Sequence, residues 1–274
     1  MALSPNMNVM IKAAEKAGRS LARDFGEVEQ LQVSRKGPGD FVTAADIRAE
    51  EIIYEELSRA RPDHDFLMEE RGAVKADGTK GSSNSEYRWI VDPLDGTSNF
   101  MHGLPHWNIS IALEHKGEII AGLVFDPVKD ETFRAEKGMG AFIRNKRLRV
   151  SGRSNFDSAM IACGAPGRSE NAALFISEYM AVKNTGANIR RLGAAALDLA
   201  YVAAGRVEGF WERGLKQWDV AAASIIVKEA GGMLGDLSGQ KDPIVTGNVI
   251  CANMSLFNDL KKLLADVEKK KNAA

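Results

Sequence analysis

Residues 89–100, "WIVDPLDGTSNF", end an apolar run with two carboxylates three positions apart, a proline between them and a Gly-Thr pair behind. Trp89 to Val91 reads as a strand, so Asp92 and Asp95 sit where that strand leaves the core, and Pro93 restricts the backbone joining them. Like charges held this close raise one another's pKa unless a cation neutralises them, an arrangement that makes sense around Mg2+ or a similar hard ion. An Asp-Pro turn followed by an aspartate helix cap explains the same four residues without metal. Gly96 and Thr97 favour the ion: glycine lets the backbone approach an anion, and Thr97 to Phe100 can begin a helix whose free N–H groups face a phosphate.

Two carboxylates are too few for metal-assisted hydrolysis. Upstream, "HDFLMEERG" (64–72) is a second apolar strand ending in acids, Glu69 and Glu70; downstream, "KQWDVAAASIIVKEAGG" (216–232) sets Asp219 before a helix closed by Gly231 and Gly232. Singly, the glutamates also read as a solvated loop and Asp219 as an N-cap. Jointly, acids at the ends of three elements scattered over 150 residues are what a fold must gather for two divalent ions about 3.5 to 4 Å apart.

The rest of the chain suits small-molecule chemistry. Its 274 residues, 45% hydrophobic, predict one large or two fused domains. Thirty-six basic against thirty-seven acidic residues leave a formal charge of −1, with no overall field to hold a nucleic-acid backbone. Cys163 and Cys251 lie in apolar runs and read as buried reduced thiols. The start has no basic segment leading into an apolar core, and no window approaches the ~20 apolar residues of a membrane span, so a cytosolic protein is expected. The four histidines (His64, His102, His106, His115) lack zinc-ligand spacing, and Gly-Xaa-Ser-Xaa-Gly and Walker loops are absent. Haloacid dehalogenase phosphatases want aspartates two apart, whereas Asp92 and Asp95 are three apart.

Apolar spacing predicts two opening helices, one near 9–21 and one over 45–60 that Pro62 stops. Tyr87 to Val150 changes to strands ("YRWIV", "WNISIALE", "EIIAGLVFD", "ETFRAE", "AFIR", "KRLRVS"), with "EHKGE" a hairpin turn, giving a mostly antiparallel sheet. After Ser151, short apolar runs alternate with helices near 171–182, 194–204, 220–230 and 256–267, an α/β layer. The Ser-, Gly- and Asn-rich stretch 149–158 is the nearest thing to a boundary, dividing an N-terminal α+β part (1–150) from a C-terminal α/β part (151–274).

"MEERG", "WIVDPLDGTSNF" and "WDVAAASIIVKEAGG", in this order, resemble the signature motifs of the inositol monophosphatase family of Mg2+-dependent, lithium-sensitive sugar-phosphate phosphatases. "KGPGDFVTAAD" (36–46), "RRLGAAALDLAYVAAGRVEGFWERG" (190–214) and "GGMLGDLSG" (231–239) extend the resemblance over nearly the whole chain. The run from Arg190 is most similar to the bacterial SuhB branch. The resemblance implies an α+β fold, a layered αβαβα sandwich usually paired as a homodimer. It implies two or three Mg2+ ions, with Mn2+ an alternative: Glu69, Asp92 and the Leu94 carbonyl for the first, Asp92, Asp95 and Asp219 for the second, and a weaker third near Glu69. Thr97, paired with Asp46, and Glu69 would activate a water that attacks phosphorus in line. Gly96 and Thr97 would hold the phosphate, with Lys36 near the site. Asp95, Asp219, Glu212 and the backbone from Gly193 to Ala195 would meet sugar hydroxyls, with Arg190 or Arg191 at the rim or in a dimer contact. Ala165 departs from the animal pattern, which has a serine touching inositol there, so one hydroxyl contact is missing. Histidinol phosphate, fructose bisphosphate and phosphoadenosine phosphate therefore stand beside inositol phosphate as substrates. SuhB-branch members also contact the transcription machinery, a protein-partner role that needs no catalysis; neither direct nucleic-acid binding nor membrane attachment is expected.

Overall fold

Alternation in the middle third of the chain sorts its residues into two layers. Ile109, Ile111 and Leu113 join one buried cluster with Leu123 and Phe125, while Ala112 and Val124 join another on the opposite side. Successive side chains of a strand point to opposite faces, so both faces of this sheet are covered.

A computed structural model describes residues 3–27, 33–37, 40–81, 85–165, 172–237, 239 and 241–273, with side chains at 33–37, 40–42 and 270–273 outside the description. The elements are α1 (Pro5–Phe25), β1 (Val33–Gly37), β2 (Asp40–Thr43), α2 (Ala44–Ala60), β3 (Asp65–Met68), β4 (Gly72–Val74), β5 (Tyr87–Asp95), α3 (Thr97–Met101), β6 (Asn108–His115), β7 (Glu118–Asp126), β8 (Glu131–Glu136), β9 (Gly140–Ile143) and β10 (Lys146–Arg147). They continue with β11 (Met160–Cys163), α4 (Ala172–Lys183), β12 (Asn188–Arg190), α5 (Ala195–Ala203), β13 (Gly209–Glu212), α6 (Gln217–Glu229), β14 (Met233–Asp236), α7 (Pro243–Thr246), β15 (Val249–Ala252) and α8 (Phe257–Ala273).

An eight-stranded sheet in the order β10-β9-β8-β7-β6-β5-β3-β4 is antiparallel except where β3 runs parallel to β5. A five-stranded sheet, β12-β11-β13-β15-β14, has β11 parallel to both neighbours and its other pairs antiparallel. Helices α1 and α2 cover one face of the large sheet, α5 and α6 fill the space between the sheets, and α4 and α8 cover the outer face of the small one. This is the layered αβαβα sandwich. Sequence position 150 separates the two sheets along the chain, but α5 and α6 share one core with both.

Local chemistry explains the boundaries. Ser4 caps α1, its Oγ accepting the Met7 N–H, and Pro5 occupies the first turn. Thr43 and Asp46 form a reciprocal capping box at the start of α2. Lys116 and Gly117 both have positive φ (52° and 82°), the hairpin turn read in "EHKGE". Cys163 and Cys251 are buried and free, as their apolar settings predict, and burial pushes the Cys163 thiol up to about 12. Two readings need correction, and β12 adds a strand the sequence did not indicate. The strand expected over "KRLRVS" stops at Arg147. Three-residue β12 is too short to have left a periodic signal. Strand β5 continues to Asp95 instead of ending at Val91, because a bulge between Asp92 and Asp95 accommodates a proline that cannot donate to the ladder.

Helix α6 approaches the large sheet through its Ala221–Ala223 run and Gly122 of β7, where an added Cβ would lie 2.2 Å from the Ala222 carbonyl oxygen. The obstacle is backbone, so Gly122→Ala must push the helix away. We expect it to destabilise the protein by about 3 kcal/mol, the upper part of the overpacking range, read from the midpoint of urea unfolding.

Candidate active site

The bulge that carries β5 past Pro93 also turns its acids. Asp92 Oδ1 accepts the Leu94 N–H at 2.9 Å, closing a short turn around the proline. Asp95 Oδ2 accepts from Asn108 Nδ2 (2.7 Å) and the Ala196 N–H (2.8 Å), and Oδ1 from the Ala195 N–H (3.2 Å). Asp95 thus joins the end of β5 to the first turn of α5, one hundred residues on. Gly96 follows at φ 92° and caps α3; that φ favours glycine, and a Cβ there would also crowd Ala194 Cβ and the His106 carbonyl oxygen, both at 3.1 Å.

Glu69 enters from the turn after β3, its N–H bonded to the Val91 carbonyl oxygen of the adjoining strand (3.2 Å). Asp219 enters from α6. It stands at the third position of the helix and accepts the Lys216 N–H (2.7 Å), so it sits inside the first turn rather than at the N-cap position expected from sequence. Asp92 lies close enough to Glu69 and Asp219 for the carboxyl groups to interact directly. Burial raises Asp92 well above the usual carboxylate range, and the charges of Glu69, Asp95 and Asp219 raise it further. Asp219 is pushed up to about 7, by burial and then by Asp95. Asp95 is raised by burial, against the lowering effect of its Asn108 and backbone donors.

These acids fit a hard divalent cation. Among the described residues no three Asp, Glu, His or Cys side chains are disposed to hold an ion together as they stand. They face one another instead, and carboxylates buried this close repel unless protons or a cation neutralise them. Positive charge is what this group lacks, and an all-oxygen donor set is the kind that Mg2+ takes.

Beside the acids lies the predicted hydroxyl pair. Thr97 Oγ1 is 3.2 Å from Asp46 Oδ1 and 3.1 Å from the Leu94 carbonyl oxygen. Asp46 is 1% exposed and accepts both the N–H and the hydroxyl of Thr43 through its other oxygen. Burial raises its pKa above the ordinary value despite these donors.

A cleft of about 190 Å³ adjoins this centre, lined by Asp95, Asp219, Glu212, Arg191, Gly193 and Ala195 among others. Gly164 and Ala165 complete its floor. Glu212, at the end of β13, occupies the space where Gly164 lacks a side chain: an added Cβ would fall 1.8 Å from the Glu212 carboxyl carbon. Burial, followed by the charges of Asp198, Asp219 and Asp95, raises Glu212 well above its usual range.

The fold therefore brings Glu69, Asp92, Asp95, Asp219, Thr97 and Asp46 together at one end of the large sheet, with Gly193, Ala195 and Glu212 across the cleft. Arg191 lines that cleft. Lys36 lies in β1, and its side chain falls outside the described residues. Asn108, Gly164, Asn99, His106 and Asp198 were not anticipated. Asp198 did leave a signal, an acid inside the apolar helical run "AAALDLAYVAA", where a buried charge demands a partner.

Comparison with known proteins agrees with the resemblance drawn from the motifs. The profile of the inositol monophosphatase family matches residues 2–271. An inositol-1-monophosphatase of Mesorhizobium japonicum is 53% identical over 264 residues, covering 96% of this chain and 97% of the relative. A Pseudomonas aeruginosa protein named Nus factor SuhB is 39% identical, over 94% of this chain and 95% of its own length. The crystal structure of the extragenic suppressor protein SuhB from Bartonella henselae superposes with a TM-score of 0.90 at 49% identity, covering 95% of this chain and 98% of that one.

Proposed function

The chain belongs to the inositol monophosphatase family and is a phosphatase of that type, and from this premise we propose a Mg2+-dependent, lithium-sensitive phosphomonoesterase acting on inositol 1-phosphate or a similar polyol phosphate. The chief support is the meeting of Glu69, Asp92, Asp95 and Asp219 at the mouth of a cleft that also holds Glu212 and the Gly193–Ala195 backbone.

Glu69, Asp92, Asp95, Asp219 and the Leu94 carbonyl would hold two Mg2+ ions, which cancel the four carboxylate charges; the charge of the phosphate gives reason for a third, and Mn2+ is an alternative to Mg2+. Such ions neutralise phosphate charge, lower the pKa of water and stabilise a leaving alkoxide. Thr97, bonded to Asp46, and Glu69 orient the attacking water and take its proton. The N–H groups of Gly96 and Thr97 orient the phosphate for in-line displacement, with Lys36 nearby. Asp95, Asp219, Glu212 and the Gly193–Ala195 backbone receive the hydroxyls of the leaving alcohol. We further infer a cytosolic homodimer; two buried free thiols suit a reducing compartment, and among the described residues no helix is long and apolar enough to cross a membrane.

The test is phosphate release from inositol 1-phosphate, β-glycerophosphate, adenosine monophosphates, histidinol phosphate, fructose bisphosphate and phosphoadenosine phosphate, with and without Li+. The highest kcat/KM is expected on inositol 1-phosphate, with inhibition by Li+; a clear preference for histidinol phosphate or phosphoadenosine phosphate would replace the substrate named here. Gly164→Ala probes the same assignment. The obstructing Glu212 carboxylate is the far end of a flexible side chain, so it swings out and the fold survives. KM for inositol 1-phosphate should rise about tenfold, the loss of one hydrogen bond to a charged group, with little change in unfolding midpoint.

Identity to the Pseudomonas protein named Nus factor SuhB supports a second reading, a regulator that binds the transcription machinery with phosphatase activity secondary. Asp92→Asn separates the two: a cellular phenotype that survives loss of phosphatase activity would favour the regulator, and failure of any transcription protein to co-purify would count against it.

A further inference from the structure

His106 and Asp198 form a pair that the reaction above does not use. Asp198 is 1% exposed, in the first turn of α5, and His106 Nε2 lies 2.8 Å from its Oδ1. The Gly193 backbone N–H lies near the same carboxylate and helps to offset the cost of its burial. Tyr201 packs edge-on against the imidazole, ring centroids 5.5 Å apart. The His106 carbonyl oxygen accepts from Asn99 Nδ2 at 2.7 Å, and that amide also reaches the Leu192 carbonyl oxygen at 2.9 Å.

These bonds join two segments that are distant in sequence. One is the stretch after α3, which follows the Gly96 turn; the other is the 192–196 backbone, whose Ala195 and Ala196 N–H groups hold Asp95. Contact is tight: a Cβ on Gly96 would stand 3.1 Å from both Ala194 Cβ and the His106 carbonyl oxygen. Burying a carboxylate is costly unless it is paired, and an exposed acid would serve equally well to cap α5. What an exposed acid could not do is reach His106 and Gly193 at once.

We propose that His106 and Asp198 are positioning residues that lock the Gly193–Ala196 backbone against the Gly96 turn, presetting this wall of the cleft for the polyol part of the substrate. The inference rests on the assignment of that wall to the hydroxyls. Imidazole and carboxylate touch neither the phosphate turn nor the clustered acids; they act by holding the backbone that does.

The experiment pairs two readouts on His106→Ala and Asp198→Asn: amide hydrogen exchange of the peptide covering 191–197, and kinetics on inositol 1-phosphate and on p-nitrophenyl phosphate, which has no polyol. In His106→Ala, exchange at 193–196 should quicken about tenfold through local opening. KM for inositol 1-phosphate should rise about tenfold, while p-nitrophenyl phosphate, which makes no use of the wall and for which Asn108 Nδ2 still holds Asp95, stays within about twofold. Asp198→Asn keeps an oxygen that can accept from His106, so both readouts should stay near wild type. Unchanged exchange in His106→Ala would overturn the lock, and an equal rise in Asp198→Asn would overturn its hydrogen-bond origin. Faster exchange with equal KM changes on both esters would leave the lock standing and overturn the assignment of the wall to the polyol.

Discussion

Asp92→Asn should lower kcat by about a thousandfold or more while raising the melting temperature of the chelator-treated protein. The catalytic half follows from the several kcal/mol that metal charge contributes to a transition state, at about 1.4 kcal/mol per factor of ten. The stability half follows from the environment. Asp92 is 2% exposed and is raised by burial and by three acidic neighbours, so its charge destabilises the metal-free fold. Asparagine keeps an oxygen to accept the Leu94 N–H and removes the charge. Each kcal/mol recovered is worth roughly 2 to 4 °C for a chain of this size. Calorimetry in chelator and a phosphate-release assay in Mg2+ read the two halves. Activity lost together with melting temperature would make Asp92 a structural residue and not a metal ligand.

Metal removal should make stability depend on pH with a definite sign. Asp219 is pushed up to about 7 from an ordinary value near 4, burial being the first cause. Asp92 and Asp95 move the same way. The folded state then binds these protons more tightly than the unfolded chain. Its advantage is complete below about pH 4 and is lost as pH rises through about 7. Glu56 works in the opposite direction: Lys12 and Lys16 hold it down to about 2, so its contribution is present above its ordinary value of 4.5 and lost as pH falls towards 2. In chelator, the melting temperature should therefore fall between about pH 4 and 7. With Mg2+ the fall should largely vanish, because the cation replaces the protons. The gap between the two curves should widen with pH, reaching roughly 5 °C or more above neutrality. Parallel curves would mean that the clustered acids do not bind the ion.

Much of this was legible in the sequence because the signals were local. Apolar runs mark β6 and β7, and helical spacing of apolar residues, with Pro62 as a stop, marks α1 and α2. The acids stood out because Glu69, Asp92 and Asp95 follow apolar runs and Asp219 precedes one. The register of β5 past Pro93 was not legible, since a bulge depends on the partner strand, here β6. Nor was the position of Asp219 within its helix, because a cap and a third-position acid differ only in where the backbone begins to coil. The Asn99, His106 and Asp198 connections span residues up to 93 apart, and no local pattern records them. Gly164 was hidden for a related reason: its meaning lies in the Glu212 carboxylate that fills its missing side chain.

The most direct measurement is the initial rate of phosphate release from inositol 1-phosphate as Mg2+ is added back to chelator-treated protein. No release before addition, and a saturable rise that Asp92→Asn abolishes, is the predicted result. Undiminished turnover in chelator, or a phosphoaspartate trapped on the chain, would contradict it.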